Sequence, residues 1–284
     1  MKLSNKLKNF PTINFISVED RPSRRNKLLN TIDTNFGELK TSPNIFKRYA
    51  PGDYKIKFPK KDWFISFNHS AIYGENSNGF IGAVTSHLES IKKWYENTDE
   101  EYGFFCEDDL SFDTVNYWNF SWEDFLSNLP EYWDCVQLQI IKSTSKTNFS
   151  NPSTICYPEN KLRKREIVNW GCCAYIIKRD RARRIIDSYY NGDEIILEYN
   201  GFDYSKRIET YGINNRWAYY PSVENIVYTN FKNKTVYSFP LFVEDISQKT
   251  TFRESNDDQN IDSYFTVMSW WKSVGYKLSV KDFV

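Results

Sequence analysis

The sequence predicts an α/β fold in which helices flank a mainly parallel central sheet. Two observations carry this prediction: short apolar runs alternate with segments of helical period, and the first run leads directly into a helix. A strand followed at once by a helix is typical of an α/β unit, and strands that alternate with helices favour a parallel sheet. The 284 residues, 40% of them hydrophobic, suffice for one large domain or two fused small ones.

The predicted elements of the first half follow from local patterns. Residues 13–18 (INFISV) are apolar and lead into a charged turn, so they predict a buried first strand. Residues 23–32 carry Leu and Ile on one side only, which predicts a helix. Further strands are predicted over 45–50 and 63–67. Residues 82–95 repeat apolar side chains at i, i+4, i+7 and i+11, which predicts a second amphipathic helix.

The second half continues the alternation. A strand over 102–106 runs straight into three acidic residues, and a polar stretch over 142–164 predicts a surface loop or flap. Other predicted elements are strands over 134–141 and 172–177 and helices over 122–129, 180–190 and 264–271. We therefore predict a catalytic domain over 1–230 and a C-terminal extension over 231–284 that packs on it.

Composition excludes several classes of function. Thirty-seven basic residues balance 37 acidic ones, so no overall positive field attracts nucleic acid. No run approaches the ~20 apolar residues of a membrane helix, and the N-terminus lacks the apolar segment of a signal peptide. These features predict a cytoplasmic protein. The five cysteines contain no CxxC pair, so neither a disulfide framework nor a zinc site is expected.

The acidic strand end is the most informative feature. Glu107, Asp108 and Asp109 follow an apolar run, at the carboxyl edge of the sheet where α/β proteins bind ligands. On an extended chain residues i and i+2 point the same way, so Glu107 and Asp109 can converge on one Mn²⁺ or Mg²⁺ ion. Such an ion neutralises the charge that develops on a departing diphosphate. The alternative is a solvated acidic turn.

Several segments in order resemble glycosyltransferase family 25. They are the opening INFISVEDRPSRR, the helix start NGFIGAVTSH, the strand end FFCEDDL, the segment WGCCAYII with the basic residues after it, and the later GFD. They span residues 13 to about 205. The resemblance implies a fold of the type called GT-A and a nucleotide diphosphate sugar as donor, with galactose or glucose on uridine diphosphate as the expectation.

The resemblance also implies where the donor lies. Glu107 and Asp109 would sit near the metal and the diphosphate. Ser17, together with Arg21, Arg24 or Arg25, would lie beside the nucleotide, because an arginine fork suits diphosphate oxygens. Arg24 and Arg25 could equally be exposed helix residues.

A second predicted anion contact is a turn over residues 78–82 that precedes a helix. It would present Asn78, Gly79 and the helix N–H groups to an anion. His87, one turn into that helix, reads either as a hydrogen-bonded core residue or as a catalyst.

The implied reaction is an inverting displacement by a hydroxyl of a glycan or glycosylated acceptor. A carboxylate would take the hydroxyl proton, with Asp203 as the first candidate base and Asp108 and Glu198 in reserve. Two rival functions stay open. One is a non-catalytic nucleotide-sugar or carbohydrate-binding protein on the same fold. The other is an interaction protein that uses the aromatic C-terminal segment over 264–271.

Overall fold

The computed structural model describes residues 3–57, 77–142, 163–164, 169–197, 222–229, 235–247 and 258–279. The predicted strand over 63–67 and most of the predicted loop over 142–164 lie outside these ranges. So do two of the predicted bases, Asp203 and Glu198.

Six α-helices lie within the described residues. They are α1 (Leu3–Lys6), α2 (Pro22–Phe36), α3 (Ser77–Asn97), α4 (Trp122–Ser127), α5 (Arg179–Tyr189) and α6 (Asp258–Val274). Shorter helical turns cover Asp113–Tyr117, Asn225–Thr229 and Gly275–Lys277. Helix α2 begins with Pro22, which suits a first turn because its missing N–H would be unpaired there. The predicted helices are confirmed with shifted ends.

The shift at α3 matters for function. We predicted a turn over residues 78–82 that precedes the helix, but the helix begins at Ser77. Asn78 and Gly79 therefore lie in its first turn. That position leaves their backbone N–H groups without intrahelical partners, so it keeps the expected preference for an anion.

The strands are β1 (Ile13–Val18), β2 (Thr41–Phe46), β3 (Lys55–Lys57), β4 (Tyr102–Glu107), β5 (Leu110–Ser111), β6 (Cys135–Gln137), β7 (Ile141–Lys142), β8 (Arg163–Lys164), β9 (Asn169–Trp170), β10 (Ala174–Lys178), β11 (Tyr190–Asn191), β12 (Glu194–Ile196), β13 (Val236–Ser238) and β14 (Val243–Glu244). Seven of them form the central sheet, in the order β2-β1-β4-β10-β6-β13-β8. The single strand predicted over 134–141 is wrong, because the chain forms β6 and β7 in different sheets.

Strand direction in the central sheet is mostly parallel, as predicted. Pairings β1–β2, β1–β4 and β6–β13 are parallel, whereas β10 runs antiparallel to both β4 and β6, and β8 antiparallel to β13. Strands β1, β2, β4, β6 and β13 therefore share one direction. Strand β10, in the middle of the sheet, is reversed. Its first residues consequently lie at the edge where β1 and β4 end.

Each face of the sheet carries its own apolar core. Neighbouring residues of β4 show the alternation of a strand: Phe104 packs with Leu28 of α2 and Trp271 of α6, whereas Phe105 packs with Leu88 of α3 and Ile185 of α5. All six side chains are 3% exposed or less. Helices on both faces of one sheet make the three layers that the sequence pattern predicts.

The C-terminal part is built into the same body. Strand β13 pairs with β6 in the central sheet, and the indole of Trp271 donates a 2.7 Å hydrogen bond to the carbonyl of Pro240. The docking helix predicted over 264–271 is confirmed within α6. The predicted domain boundary, residue 230, lies outside the described residues. No described helix combines the length and the apolar character that a bilayer span requires.

Candidate active site

The carboxyl edge of the sheet brings together the ends of β1 and β4 and the start of β10. Ile16 of β1 lies opposite Glu107 of β4, and the Glu107 N–H donates a 2.9 Å hydrogen bond to the carbonyl of Cys173. Because β10 is reversed, Cys172 and Cys173 arrive at this edge just before their strand begins. Side chains from three distant parts of the chain therefore meet at one place.

A pocket of about 380 Å³ opens at this edge. Its volume falls within the ~300–1,000 Å³ range of small-molecule sites. One wall carries the acidic residues Glu107 and Asp108, and another the first turns of α3 with Asn78 and Gly79. Further lining residues are Ile16, Ser17, Val18, Phe46, Lys47, Arg48, Tyr49, Gly82, Ala83, Ser86 and His87.

Arg24 connects the acidic run to helix α2. Its Nε lies 2.9 Å from Oδ1 of Asp108, and its Nη2 contacts the carboxylate of Asp109. All three side chains are nearly buried, with exposures of 4% for Arg24 and Asp108 and 7% for the Asp109 side chain. From the sequence alone, Arg24 could be either a site residue or an exposed helix residue. The exposed alternative is wrong.

The other residues predicted beside the nucleotide are distributed differently. Ser17 lines the pocket, and its hydroxyl donates a 2.7 Å hydrogen bond to Oδ2 of Asp108. Arg25 donates to Ser17 Oγ at 3.2 Å and to the carbonyl of Val18 at 3.3 Å, so it fixes the end of β1. Arg21 is half-buried at the N-cap of α2. Neither Arg21 nor Arg25 is among the lining residues of the pocket.

Asp109 is set back from the pocket. Besides Arg24, its carboxylate accepts a 3.4 Å hydrogen bond from the thiol of Cys173, and it is not one of the lining residues. Glu244 of β14 lies against it from the other side and also accepts from the Asn260 amide at 3.1 Å. The two acids that the sequence pairs around a metal thus differ: Glu107 faces the pocket and Asp109 faces the protein.

The pKa values of this cluster are shifted because several carboxylates are buried close to one another. Burial raises the pKa of Asp108 despite the opposing charge of Arg24, and it raises the pKa of Asp109 to about 6. Burial together with the charge of Asp109 raises the pKa of Glu244 well above its ordinary value. Burial alone would lower the pKa of Arg24, but Asp109 and Asp108 outweigh it and raise that pKa. The cluster therefore contains more carboxyl groups than the single guanidinium of Arg24 can neutralise.

Glu107 has a different environment. Its side chain is 28% exposed, and its Oε1 lies 3.4 Å from Nε2 of His87 and accepts a 3.1 Å hydrogen bond from the thiol of Cys172. Burial would raise its pKa, but His87 and the thiol reverse this and lower it. The other ring nitrogen of His87 lies 2.8 Å from the hydroxyl of Tyr175. Glu107 is thus held as a carboxylate at the pocket wall.

Gly171 fixes the start of β10. Its φ of +109° is a conformation that L side chains rarely adopt, and a Cβ there would lie 2.4 Å from Oε1 of Gln139. Its carbonyl accepts from Gln137 Nε2 at 2.9 Å and from the Tyr228 hydroxyl at 3.2 Å. These contacts set the direction in which Cys172 leaves the turn.

A comparison with protein families decides which class of protein this is. The family described as glycosyltransferase family 25 (LPS biosynthesis protein) matches residues 10–199, which is 190 of the 284 residues. The chain belongs to glycosyltransferase family 25. The match runs from just before β1 to just after β12 and therefore includes every pocket residue named above. No curated protein matches the chain significantly.

Family 25 membership makes the chain a glycosyltransferase, so the enzyme reading of the sequence is confirmed. The interaction protein that would use the segment over 264–271 is not favoured, because Trp271 in that segment is fully buried against the core. Five predicted site residues line one pocket: Ser17, Asn78, Gly79, Glu107 and Asp108.

The sequence missed three neighbours of the acidic run in this family 25 chain: Cys172, Tyr175 and Glu244. Cys172 and Tyr175 stand in the segment that resembles the family, but no spacing rule links them to Glu107. Glu244 lies in a two-residue strand without a pattern of its own. The reading of His87 as a hydrogen-bonded core residue is confirmed, because the side chain is 1% exposed and its Nδ1 lies 2.8 Å from the Tyr175 hydroxyl. His87 also lines the pocket, and a catalytic role stays a prediction.

Proposed function

We propose that this glycosyltransferase moves a hexose, galactose or glucose, from a nucleoside diphosphate to a hydroxyl of a glycan or glycosylated acceptor. The proposed reaction is a single, inverting displacement that depends on Mn²⁺ or Mg²⁺, on a GT-A fold. The observation that carries the proposal is the joint presence of Glu107 and Asp108 on the wall of one pocket that the first turn of α3 also lines.

The two walls suit the two ends of a diphosphate. Backbone N–H groups of the first helical turn, at Asn78 and Gly79, favour phosphate oxygens. The side chains of Lys47 and Arg48 at the end of β2 add positive charge to the same pocket. A diphosphate that lies between these groups and the acidic wall needs a cation on the acidic side, because carboxylate and phosphate oxygens repel each other.

The donor set of the acidic wall fits a hard divalent ion. Glu107 and Asp108 offer carboxylate oxygens at the pocket, which Mn²⁺ and Mg²⁺ prefer. We propose Glu107 as one ligand. The sequence pairs it with Asp109, which contacts Arg24 and would have to exchange that contact for the ion, whereas Asp108 already lines the pocket. When bound, the ion supplies charge neutralisation for the leaving diphosphate.

The protein's own groups would position the donor and the acceptor. Arg24 holds Asp108 and Asp109 in place, and Ser17 fixes the second oxygen of Asp108. Proton removal from the acceptor hydroxyl is assigned to Asp203, with Asp108 as the alternative. Both oxygens of Asp108 already have partners within the protein, which favours a positioning role for Asp108 and leaves Asp203 as the first candidate base.

The test is transfer and donor hydrolysis by the full chain with UDP-galactose and UDP-glucose, with and without Mn²⁺. We expect Glu107→Gln to reduce turnover by about 100-fold or more, the usual cost of losing a group that stabilises developing charge. Replacing Asp108 and Asp109 separately by Asn shows which one is the second ligand, because only the ligand's loss weakens UDP binding in Mn²⁺ by calorimetry. Asp203→Asn should abolish transfer but keep that binding.

The matched control is Glu101→Gln, which makes the same acid-to-amide change on an 80% exposed side chain at the opposite edge of the sheet. Full activity of Glu101→Gln with loss in Glu107→Gln supports the proposal. Equal turnover in the presence of a metal chelator would overturn metal dependence. Absence of binding by every nucleotide sugar would favour the non-catalytic carbohydrate-binding alternative.

A further inference from the structure

A nitrogen, an oxygen and a sulfur ligand converge beside the pocket. His87 from α3, Glu107 from the end of β4 and Cys172 from the turn before β10 each point one ligand atom at the others. All three atoms lie within 4.8 Å of one another. The closest pairs are His87 Nε2 and Glu107 Oε1 at 3.4 Å, and Cys172 Sγ and the same oxygen at 3.1 Å.

The two short separations, at 3.4 and 3.1 Å, are close to those between ligand atoms around a tetrahedral ion, and the third lies within 4.8 Å. Zinc lies about 2.0–2.1 Å from histidine nitrogen, about 2.0–2.2 Å from carboxylate oxygen and about 2.3 Å from thiolate sulfur. At the tetrahedral angle these bonds place the ligand atoms roughly 3.3–3.6 Å apart. The contact between sulfur and oxygen is shorter than this, and a rotation of the half-buried Cys172 side chain would lengthen it.

Tyr175 supplies the outer contact that a ligating histidine needs. Its hydroxyl lies 2.8 Å from Nδ1 of His87 and can accept a proton from it. In the tautomer that carries its proton on Nδ1, this hydrogen bond leaves the Nε2 lone pair for a metal ion, which would replace the present contact between Nε2 and Glu107. Metal-bound histidines commonly have their second ring nitrogen fixed in this way. Tyr175 is fully buried, so it holds the ring in one orientation.

We propose that His87, Glu107 and Cys172 bind one divalent ion of the zinc class, with its fourth position open to the pocket. The thiol releases its proton to solvent on binding, so the site gains a thiolate ligand that Mn²⁺ and Mg²⁺ do not prefer. The site goes beyond the proposed transfer reaction, and it shares Glu107 with that reaction's acidic wall. A zinc-class ion and a hard ion therefore compete for one carboxylate.

The direct test uses Co²⁺ as a spectroscopic substitute for Zn²⁺ in the full chain. We expect one equivalent to give a thiolate-to-cobalt charge-transfer band and strong visible bands of a four-coordinate ion, which excess Zn²⁺ removes and excess Mg²⁺ does not. Cys172→Ser should lose the charge-transfer band and weaken Zn²⁺ binding by at least 10-fold. Cys173→Ser, which alters the adjacent thiol on the opposite side of the chain, should keep the band.

A second measurement needs no variant. Zn²⁺ should protect Cys172 of the unaltered protein from alkylation, while Cys172 alkylates without added metal, as peptide mass spectrometry would record. The proposal is overturned if Co²⁺ gives no charge-transfer band, if the band survives Cys172→Ser, or if Zn²⁺ leaves alkylation of Cys172 unchanged. Because neither readout requires transfer, an inactive protein that shows the band rejects the proposed function and retains this site.

Discussion

Two buried groups of arginine and aspartate lie at opposite edges of the central sheet and differ in charge balance. At the amino edge, before β6, the single carboxylate of Asp134 faces Arg181 at 3.4 Å and Arg184 at 2.6 Å. At the carboxyl edge, after β4, the single guanidinium of Arg24 faces the carboxylates of Asp108 and Asp109. The amino-edge group therefore has an excess of positive charge and the carboxyl-edge group an excess of negative charge.

The amino-edge group has the burial and the hydrogen-bond partners that are typical of a structural ion pair. Arg181 is fully buried, and its remaining N–H groups donate to the carbonyl of Val227 at 2.6 and 3.2 Å. At the carboxyl edge burial, together with the neighbouring carboxylates, instead raises the pKa of Asp109 and of Glu244. At the amino edge the carbonyl of Val227 accepts from the excess guanidinium, whereas at the carboxyl edge the excess carboxylates border a pocket that a cation can enter, and this marks the carboxyl edge as the functional one.

The largest expected effect on stability comes from the amino-edge group. Asp134→Asn should reduce the free energy of unfolding by about 3–5 kcal/mol, because it leaves the buried Arg181 without its carboxylate. Urea unfolding followed by circular dichroism measures this. A loss below about 1 kcal/mol would mean that the carbonyl of Val227 alone satisfies Arg181, and the contrast between the two edges would fail.

Arg24→Met should show a smaller loss that depends on pH. The folded-state pKa of Asp109 is raised to about 6, so stabilisation is full below its unfolded pKa and is lost as pH rises through about 6. Removing Arg24 raises that folded pKa further. We therefore expect about 1–3 kcal/mol more destabilisation at pH 8 than at pH 5. An equal loss at both pH values would contradict the proposed carboxylate excess.

Manganese should stabilise the fold by binding at the carboxyl edge only. At a concentration of about 100 times its Kd, Mn²⁺ should raise the free energy of unfolding by about 2.7 kcal/mol. The same gain is expected in Asp134→Asn, whose change lies at the other edge, and no gain in Glu107→Gln. Thermal melts with and without the ion measure this. A full gain in Glu107→Gln would remove Glu107 from the hard-ion site.

The smallest effect is expected at a solvent-exposed pair. Arg48 contacts Asp20 with exposures of 46% and 54%, so water screens the pair. Asp20→Asn should change the free energy of unfolding by less than about 1 kcal/mol. The same urea titration serves as a reference for the two buried groups. A loss comparable to that of Asp134→Asn would show that burial does not determine how much an ion pair contributes to stability.

Local patterns predicted the strands over 13–18 and 102–106 and the helices because burial leaves a period in the sequence. Contacts between side chains that are distant in the sequence produce no such periodic pattern. Arg24 reads as a helix residue until Asp108 and Asp109 are placed beside it. We expected no zinc-class site because the sequence has no CxxC pair. In the fold, however, His87, Glu107 and Cys172 come together from three separate parts of the chain. The reversal of β10 is likewise a property of the assembled sheet.

That reversed strand also governs how the chain can be assembled during synthesis. Strands β1, β2, β4 and β6 are all made before β10, yet among the described residues β6 has no sheet neighbour until β10 or β13 exists. Of the described central sheet, a nascent chain that stops before residue 174 therefore carries two separate parts, the paired strands β2-β1-β4 and the unpaired strand β6, with apolar, unpaired edges. Such edges promote association between chains. We expect truncations ending before β10 to aggregate, as light scattering would show, and β10 to join the fragments by insertion between them.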